Sequence, residues 1–229
     1  MKKIVVLTGA GVSAESGINT FRDAGGLWEG HDVMEVASPE GWAKNRELVL
    51  NFYNERRRQL DEVQPNAAHF ALKELEKEYQ VVIVTQNVDD LHERAGSSNI
   101  IHLHGELRKM RSSVHEDKVY PCEGDIALGD KCELGSQLRP HIVWFGEMVP
   151  MLEVAARELL NADITIIIGT SMQVYPAASL VDYAPQGIPI YYVDPKPTIN
   201  YELSQLKNLE VIAEKATLGM PIVLEKLTK

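Results

Sequence analysis

The chain has 229 residues, 45% hydrophobic and 24% charged, enough for one well-filled α/β domain with a minor lobe. Its net charge of −10 argues against non-specific binding to nucleic acid or an anionic membrane and favours basic partners such as lysine-rich protein tails. Cys122 and Cys132 give no disulfide framework, no apolar stretch reaches membrane-spanning length, and the run after Met1-Lys2-Lys3 is too short for a signal peptide, so a cytoplasmic protein is expected.

Ile4–Leu7 is apolar and β-branched, the pattern of a fully buried strand. It runs into Thr8-Gly9-Ala10-Gly11, where two glycines would let the backbone approach a bulky anion. A helix over Ser13–Ser16 would point its N–H groups at the same place. Strand, Gly-rich turn and helix in that order make a pyrophosphate cradle. A nicotinamide dehydrogenase would carry an acidic residue about 20 positions on, at the end of a second strand. Glu29, Asp32 and Glu35 lie instead in loop- and helix-like sequence, so ribose is held another way.

The stretch 17–26 is glycine-rich and polar and reads as a mobile loop. Pro39-Glu40 starts a helix behind the cap Ser38. Glu47–Leu60 has helical periodicity with Leu48, Phe52 and Leu60 inward, and Asn66 caps a further helix with Phe70 and Leu72 inward. Val81–Thr85 is a buried strand ending in Gln86-Asn87-Val88-Asp89-Asp90, and Ile100–Leu103 is a short strand ending at His104. Residues 108–138 read as an insert rather than core. Ile142–Phe145 is strand-like, Leu152–Leu160 helical, and Ile164–Ile168 a strand closed by Gly169-Thr170-Ser171. Ile190–Val193 is a strand closed by Asp194-Pro195, and Val211–Ile212 precedes a C-terminal helix.

Strands alternating with helices predict an α/β fold, a Rossmann-type doubly wound parallel sheet. Polar or glycine clusters follow five of the strands, and ligands bind along that edge in such sheets. No G-x-S-x-G elbow and no cysteine in a nucleophile context is present. His102 and His104 share a strand face but lack nearby further ligands, which disfavours a metal. Gln86, Asn87, Asp89 and His104 remain as the reactive set, with Phe21 and Arg22 on the loop. A neutral imidazole suits removal of a proton from an activated hydroxyl, while Asn and Asp hold a carboxamide or ribose hydroxyls. Taken singly, Asn87 and Asp89 are equally explained as helix caps and His104 as a satisfied strand-end histidine.

GAGVSAESGINTFR, TQNVDDLHERAG, LHGEL, RPHIVWFGE and GTSMQVYPAA together resemble, in order and across nearly the whole chain, the motifs of sirtuins, the NAD-dependent protein-lysine deacylases. The resemblance implies a large lobe of roughly 1–30, 75–108 and 139–229, and a small lobe built from two insertions, roughly 31–74 and 109–138. NAD+ is then a consumed co-substrate. It would be bound by Gly9, Ala10, Gly11, Glu15, Phe21, Arg22, Trp28, Gln86, Asn87, Val88, Asp89 and His104 on the pyrophosphate and nicotinamide side. Gly169, Thr170, Ser171, Val193, Asp194, Pro195 and Ala216 would meet the adenosine. The catalytic set is His104, Asn87 and Asp89, with His104 the general base on the ribose hydroxyls after the acyl oxygen has displaced nicotinamide. An acyl-lysine protein segment would pair as an extended peptide with Val143, Phe145 and Gly146 on one side and Val174 on the other.

Two features depart from the commonest pattern. Tyr53 and Arg56 match the Y-x-x-R of sirtuins that remove malonyl and succinyl groups, where a guanidinium clamps the distal carboxylate, and Ala24 leaves room for the longer chain. The alternative is that Arg56-Arg57-Arg58 is a solvated basic face. Many sirtuins hold the small lobe on zinc with two C-x-x-C pairs, but Ser112, His115 and Cys132 stand in those regions with Cys122 alone between them, so no zinc is expected. A plain deacetylase, an ADP-ribosyltransferase and a non-catalytic NAD sensor are the competing readings.

Overall fold

A computed structural model describes residues 1–19 and 27–228. In chain order its elements are β1 Lys3–Thr8, β2 Leu27–Trp28, β3 His31–Asp32, α1 Val33–Val36, α2 Pro39–Lys44, α3 Arg46–Glu62, α4 Ala67–Leu75, β4 Gln80–Thr85, α5 Leu91–Arg94, β5 Ile100–His102, β6 Gly105–Ser112, β7 Val119–Pro121, β8 Leu138–Ile142, α6 Leu152–Leu160, β9 Ile164–Ile168, β10 Ile190–Val193, α7 Tyr201–Ser204, β11 Leu209–Ile212 and α8 Ala216–Leu227. Short 3-10 turns lie between some of them.

The apolar β-branched runs become one six-stranded parallel sheet in the order β11-β10-β9-β1-β4-β5. The chain builds outward from β1 in one direction through β4 and β5, then returns to its other side with β9, so the strand order reverses between β1 and β9. Each sheet face carries its own apolar cluster. Val5, Leu7, Val82, Val84 and Ile167 face α6, while Ile4, Val6, Ile83 and Ile166 face α4 and α8. Strands covered on both faces read as unbroken apolar runs, which is why they were legible without alternation.

A second sheet, β7-β6-β8, is antiparallel. With α2 and α3 it encloses a third apolar cluster that includes Trp42, Phe52, Tyr53, Cys122, Ile126, Cys132, Leu138 and Trp144. Residues 108–138 are thus not merely an insert outside the core: their weak periodicity reflects short strands joined by turns, with Ile126 only 1% exposed.

Three further expectations are corrected. No α-helix opens at Ser13; two 3-10 turns, Ala10–Val12 and Ala14–Ser16, stand there and end at Gly17 in the left-handed region. Phe70 is 51% exposed although Leu72 beside it is fully buried, because the face of α4 against the sheet is filled by Ala68, Ala71, Leu72 and Leu75. The strand placed at Ile142–Phe145 is β8, which ends at Ile142 and belongs to the small sheet. The caps hold as read: Ser38 Oγ accepts from Gly41 N–H at 2.9 Å, and Asn66 with His69 forms a capping box on α4.

Candidate active site

The reversal point between β1 and β9 is where a doubly wound sheet opens a crevice. Its floor is two loops pressed together. Gly11 N–H donates to Gly169 O at 2.7 Å and Gly9 N–H to Ile168 O at 3.2 Å. A Cβ on Gly11 would lie 2.7 Å from Gly169 Cα, and one on Gly169, whose φ is +63°, would lie 2.2 Å from Val12 N. These glycines are required for the loop-on-loop contact.

Over this floor the end of β4 carries a connected polar network. Ser13 Oγ donates to Asp89 Oδ2 at 2.9 Å and accepts from Asn87 Nδ2 at 3.1 Å. The serine proton can go only one way, so Asn87 must present its N–H to Ser13 and keeps Oδ1 as an acceptor with no partner among the described residues. Asp89 Oδ1 accepts from Leu91 N–H at 3.1 Å, so it holds the first N–H of α5 and joins the site at once. Burial pushes its carboxyl up to about 6, against the pull of the Leu91 and Ser13 bonds. Ser13 is the functional candidate that the sequence reading passed over as a helix opener; its distance of 74 positions from Asn87 left no local signal.

Gln86 Nε2 donates to Thr170 Oγ1 at 3.1 Å, tying the β4 and β9 loops. Below them Thr8 Oγ1 donates to Thr85 Oγ1 at 2.8 Å and lies 3.1 Å from His92 Nε2. His92 stacks near His69, with ring centroids 4.8 Å apart, and burial holds both imidazoles well below their ordinary range, His69 at about 4.

His104 Nδ1 lies 3.1 Å from Gln86 O. A carbonyl only accepts, so Nδ1 carries the hydrogen and Nε2 keeps its lone pair, the tautomer a general base needs. Burial lowers the imidazole pKa below 6.5, and the Gln86 bond opposes this only in part. His102 serves other partners. Its Nδ1 faces Asn87 O at 3.3 Å and its Nε2 faces Glu93 Oε1 at 2.6 Å. Glu93, His102 and Glu106 are the one group of three metal-ligand side chains found together among the described residues. Both carboxylates there are already paired, Glu93 with His102 and Glu106 with Lys109 Nζ at 2.6 Å.

At the far side of the crevice, Val193 closes β10, Asp194 Oδ1 accepts from Lys196 N–H at 2.8 Å, and Pro195 is exposed. Ala216 is buried at the start of α8 beside Glu15, whose Oε2 accepts from Thr217 N–H at 3.1 Å. Ser171 is partly buried behind Thr170. Val88 lies partly buried against the small-lobe cluster, its carbonyl accepting from Leu107 N–H at 2.8 Å.

After β8 the chain runs on through Val143 and Trp144 and turns at Phe145 and Gly146. Val143 N–H donates to His104 O at 2.9 Å and Phe145 N–H to Ala37 O at 3.0 Å. Phe145 and Val174 are 45% and 38% exposed, the kind of apolar rim an extended peptide can cover. Gly146 takes φ +89° and turns the chain back to Glu147. Glu147 is fixed by Arg139 Nη1 at 2.8 Å and Nη2 at 3.1 Å, and by Trp144 N–H at 2.8 Å.

Tyr53 is fully buried on α3, and Trp28 packs edge-on to it and to Phe52 at 5.9 and 5.0 Å, which places Trp28 beside the α3 pair. Arg56 is not a solvated cation. Its Nε and Nη1 are buried without a hydrogen-bond partner, and among the described residues its nearest carboxylates are Glu55 at 3.6 Å and Glu29 at 3.8 Å. Phe21, Arg22 and Ala24 lie outside the described residues.

In the small lobe, Ser112 Oγ accepts from Val114 N–H at 3.3 Å and His115 N–H at 3.1 Å, and Cys122 Sγ donates to Gly124 O at 3.3 Å. Cys122 and Cys132 are both free and buried.

Comparison with known proteins gives concordant findings. The profile of the Sir2 family matches residues 9–176. An NAD-dependent protein deacylase of Helicobacter pylori (strain ATCC 700392 / 26695) is 61% identical over 227 residues, covering 99% of this chain and 98% of the relative. A crystal structure of a Sir2 homolog–NAD complex superposes with a TM-score of 0.87 at 42% identity, covering 99% of this chain and 90% of the other. A complex of Sir2 with a deacetylated p53 peptide and 3′-O-acetyl ADP ribose superposes with a TM-score of 0.79 at 29% identity, covering 97% and 92%.

Proposed function

This chain belongs to the Sir2 family, and from that premise we infer that it is an NAD-dependent protein-lysine deacylase that takes succinyl and malonyl groups as well as acetyl. NAD+, the consumed co-substrate, supplies the glycosidic bond whose cleavage releases nicotinamide and accepts the acyl group as O-acyl-ADP-ribose. The large lobe is placed roughly over 1–30, 75–108 and 139–229, with two changes at the joins: α4 Ala67–Leu75 packs on the parallel sheet and so belongs with it, and β8 Leu138–Ile142 belongs to the small sheet.

The crevice fits such a nucleotide. Gly9, Ala10 and Gly11 form its floor with Gly169 and Thr170. Asn87, oriented by Ser13, offers a bare amide oxygen to a ribose hydroxyl or carboxamide N–H. Asp89, with its carboxyl at about 6, is mostly ionised at neutral pH and holds the network's proton on Ser13. His104 Nε2 takes a proton from a ribose hydroxyl. Gln86, Val88 and Trp28 complete the walls on the nicotinamide and phosphate side, and Glu15, Ser171, Val193, Asp194, Pro195 and Ala216 those on the adenosine side. The peptide lies extended between Val143–Gly146 and Val174, supported by a relative seen with a deacetylated peptide.

The observation that carries the acyl preference is the unpartnered guanidinium edge of Arg56. Burying a charged donor without a partner is costly, and a distal carboxylate supplies that partner. Against zinc in the small lobe speak the lack of C-x-x-C pairs in the sequence, the engagement of the Ser112 hydroxyl by two backbone N–H groups, and the position of the one metal-ligand group among the described residues at Glu93, His102 and Glu106. Two free thiols suit the cytoplasm. No described helix is long and apolar enough to cross a membrane.

The test is mass spectrometry of matched succinyl-, malonyl- and acetyl-lysine peptides incubated with NAD+. O-succinyl-ADP-ribose with free lysine is the expected product. Turnover of the acetyl peptide alone would leave a plain deacetylase, ADP-ribosylated protein a transferase, and no nicotinamide release an NAD sensor.

A further inference from the structure

Trp144 Nε1 lies 3.1 Å from the Tyr53 hydroxyl, and both side chains are buried, at 2% and 0% exposure. An indole N–H can only donate, so the tyrosyl oxygen accepts in this bond and its own proton is left for another partner. No acceptor for that proton is found among the described residues. One turn along α3 stands Arg56, whose Nε and Nη1 are buried without a hydrogen bond, Nη1 having only Glu29 Oε2 at 3.8 Å. Donors without acceptors on one helix face describe a place that awaits an anion.

We propose that Trp144 is a specificity-determining residue of the deacylation reaction. Its indole N–H occupies the tyrosyl lone pair and thereby holds the Tyr53 hydroxyl as a donor toward the carboxylate of a succinyl or malonyl group. Trp144 is a positioning residue: it acts through Tyr53 and not on the acyl group itself. The inference rests on the carboxylate-acyl reading above.

The indole is well fixed for this task. The Arg139 guanidinium lies over its ring at 3.3 Å from the centroid, and Trp42 packs at 5.7 Å. Its backbone N–H is held by Glu147 Oε2 at 2.8 Å, and Glu147 in turn is gripped by Arg139 and by Arg111 Nη2 at 3.3 Å. Trp144 also sits between Val143 and Phe145, whose N–H groups are anchored on His104 and Ala37. One side chain therefore joins the edge that receives the peptide to the helix that receives the acyl end. Burial raises the tyrosyl pKa far above its ordinary value, which keeps the hydroxyl protonated and able to donate.

The experiment is a double-mutant cycle on Trp144→Phe and Tyr53→Phe, read as the ratio of kcat/KM for succinyl- over acetyl-lysine peptides. Trp144→Phe is expected to lower that ratio about fivefold, chiefly through KM for the succinyl peptide, as suits misdirecting one hydrogen bond to a charged group. In the Tyr53→Phe background the same change should alter the ratio by less than about twofold, because the hydroxyl it directs is gone. If Trp144→Phe fails to fold, a β-(3-benzothienyl)alanine at position 144 keeps the bicyclic shape and removes only the N–H, and its ratio decides. A wild-type preference for succinyl that survives Trp144→Phe, or an equal fall in both backgrounds, overturns the proposal and spares the carboxylate-acyl reading. A wild type that shows no turnover of succinyl-lysine overturns both.

Discussion

Arg56→Met separates what this guanidinium costs from what it does. In the free protein Nε and Nη1 are buried without partners, and each such donor costs on the order of 1 kcal/mol or more. Against that stand loose ion pairs at 3.6 and 3.8 Å, worth roughly 0–1 kcal/mol, and a cation–π contact with Phe52 at 5.2 Å, worth about 0.5–1 kcal/mol. Methionine keeps most of the aliphatic stem. The balance favours the variant by about 1 kcal/mol, or roughly 2–4 °C in Tm for a chain of this size. Function moves the other way. Truncating one side of a buried carboxylate–guanidinium pair costs about 2–4 kcal/mol, a fall of roughly 30- to 1,000-fold in kcat/KM for succinyl-lysine, with acetyl-lysine little affected. Differential scanning fluorimetry without ligand, followed by kinetics on both peptides, reads the two effects. A variant that melts several degrees lower, or that loses both activities equally, refutes the reasoning.

Asp89→Asn should stabilise the protein at pH 8 and impair NAD+ turnover. The native carboxyl, raised from 3.8 to about 6, is ionised there at a cost of about 3 kcal/mol, and the gain should vanish below pH 4, where folded and unfolded chains both carry the proton. His69, held at about 4, works with the opposite sign: the unfolded chain takes up the proton first, so stability falls as pH drops from 6.5 toward 4, by about 1.4 kcal/mol per unit. His69→Gln, which keeps the capping-box acceptor, should flatten that slope in urea titrations, and an unchanged slope would count against it. His104→Ala should cut acyl transfer by about 10²–10⁴. In the native enzyme kcat/KM should rise with pH through a midpoint below 6.5, since burial lowers that imidazole. Elemental analysis of purified protein should find far less than one equivalent of zinc; a full equivalent would restore the metal to the small lobe.

The parallel sheet was legible because its strands are covered on both faces and so run apolar without interruption, as Ile4–Leu7 and Ile164–Ile168 do. Strand-end chemistry was legible for a related reason: Gln86, Asn87, Asp89 and His104 follow β-branched runs directly. Phe70 misled because an aromatic at helical spacing counts as apolar whichever face it takes. The small sheet left little trace, since β7 has three residues and its partners are joined by turns. What no period or motif can carry is a contact between distant positions, and the links of Ser13 to Asp89 and of Trp144 to Tyr53 are of that kind. Arg56 stood in the sequence as one of three successive arginines, and only burial distinguishes it from Arg58, which pairs with Asp125 at the surface.

The interlocked glycines bear on how the molecule comes into being. Gly9 and Gly11 leave the ribosome early, but the surface they need is Gly169, more than a hundred and fifty positions later. A nascent or proteolysed chain that stops before β9 therefore lacks half of this loop-on-loop floor, where we place the nucleotide, whatever else has folded. Competence to hold the dinucleotide arrives late and all at once, and the ligand, once seated, bolts the two halves of the sheet together.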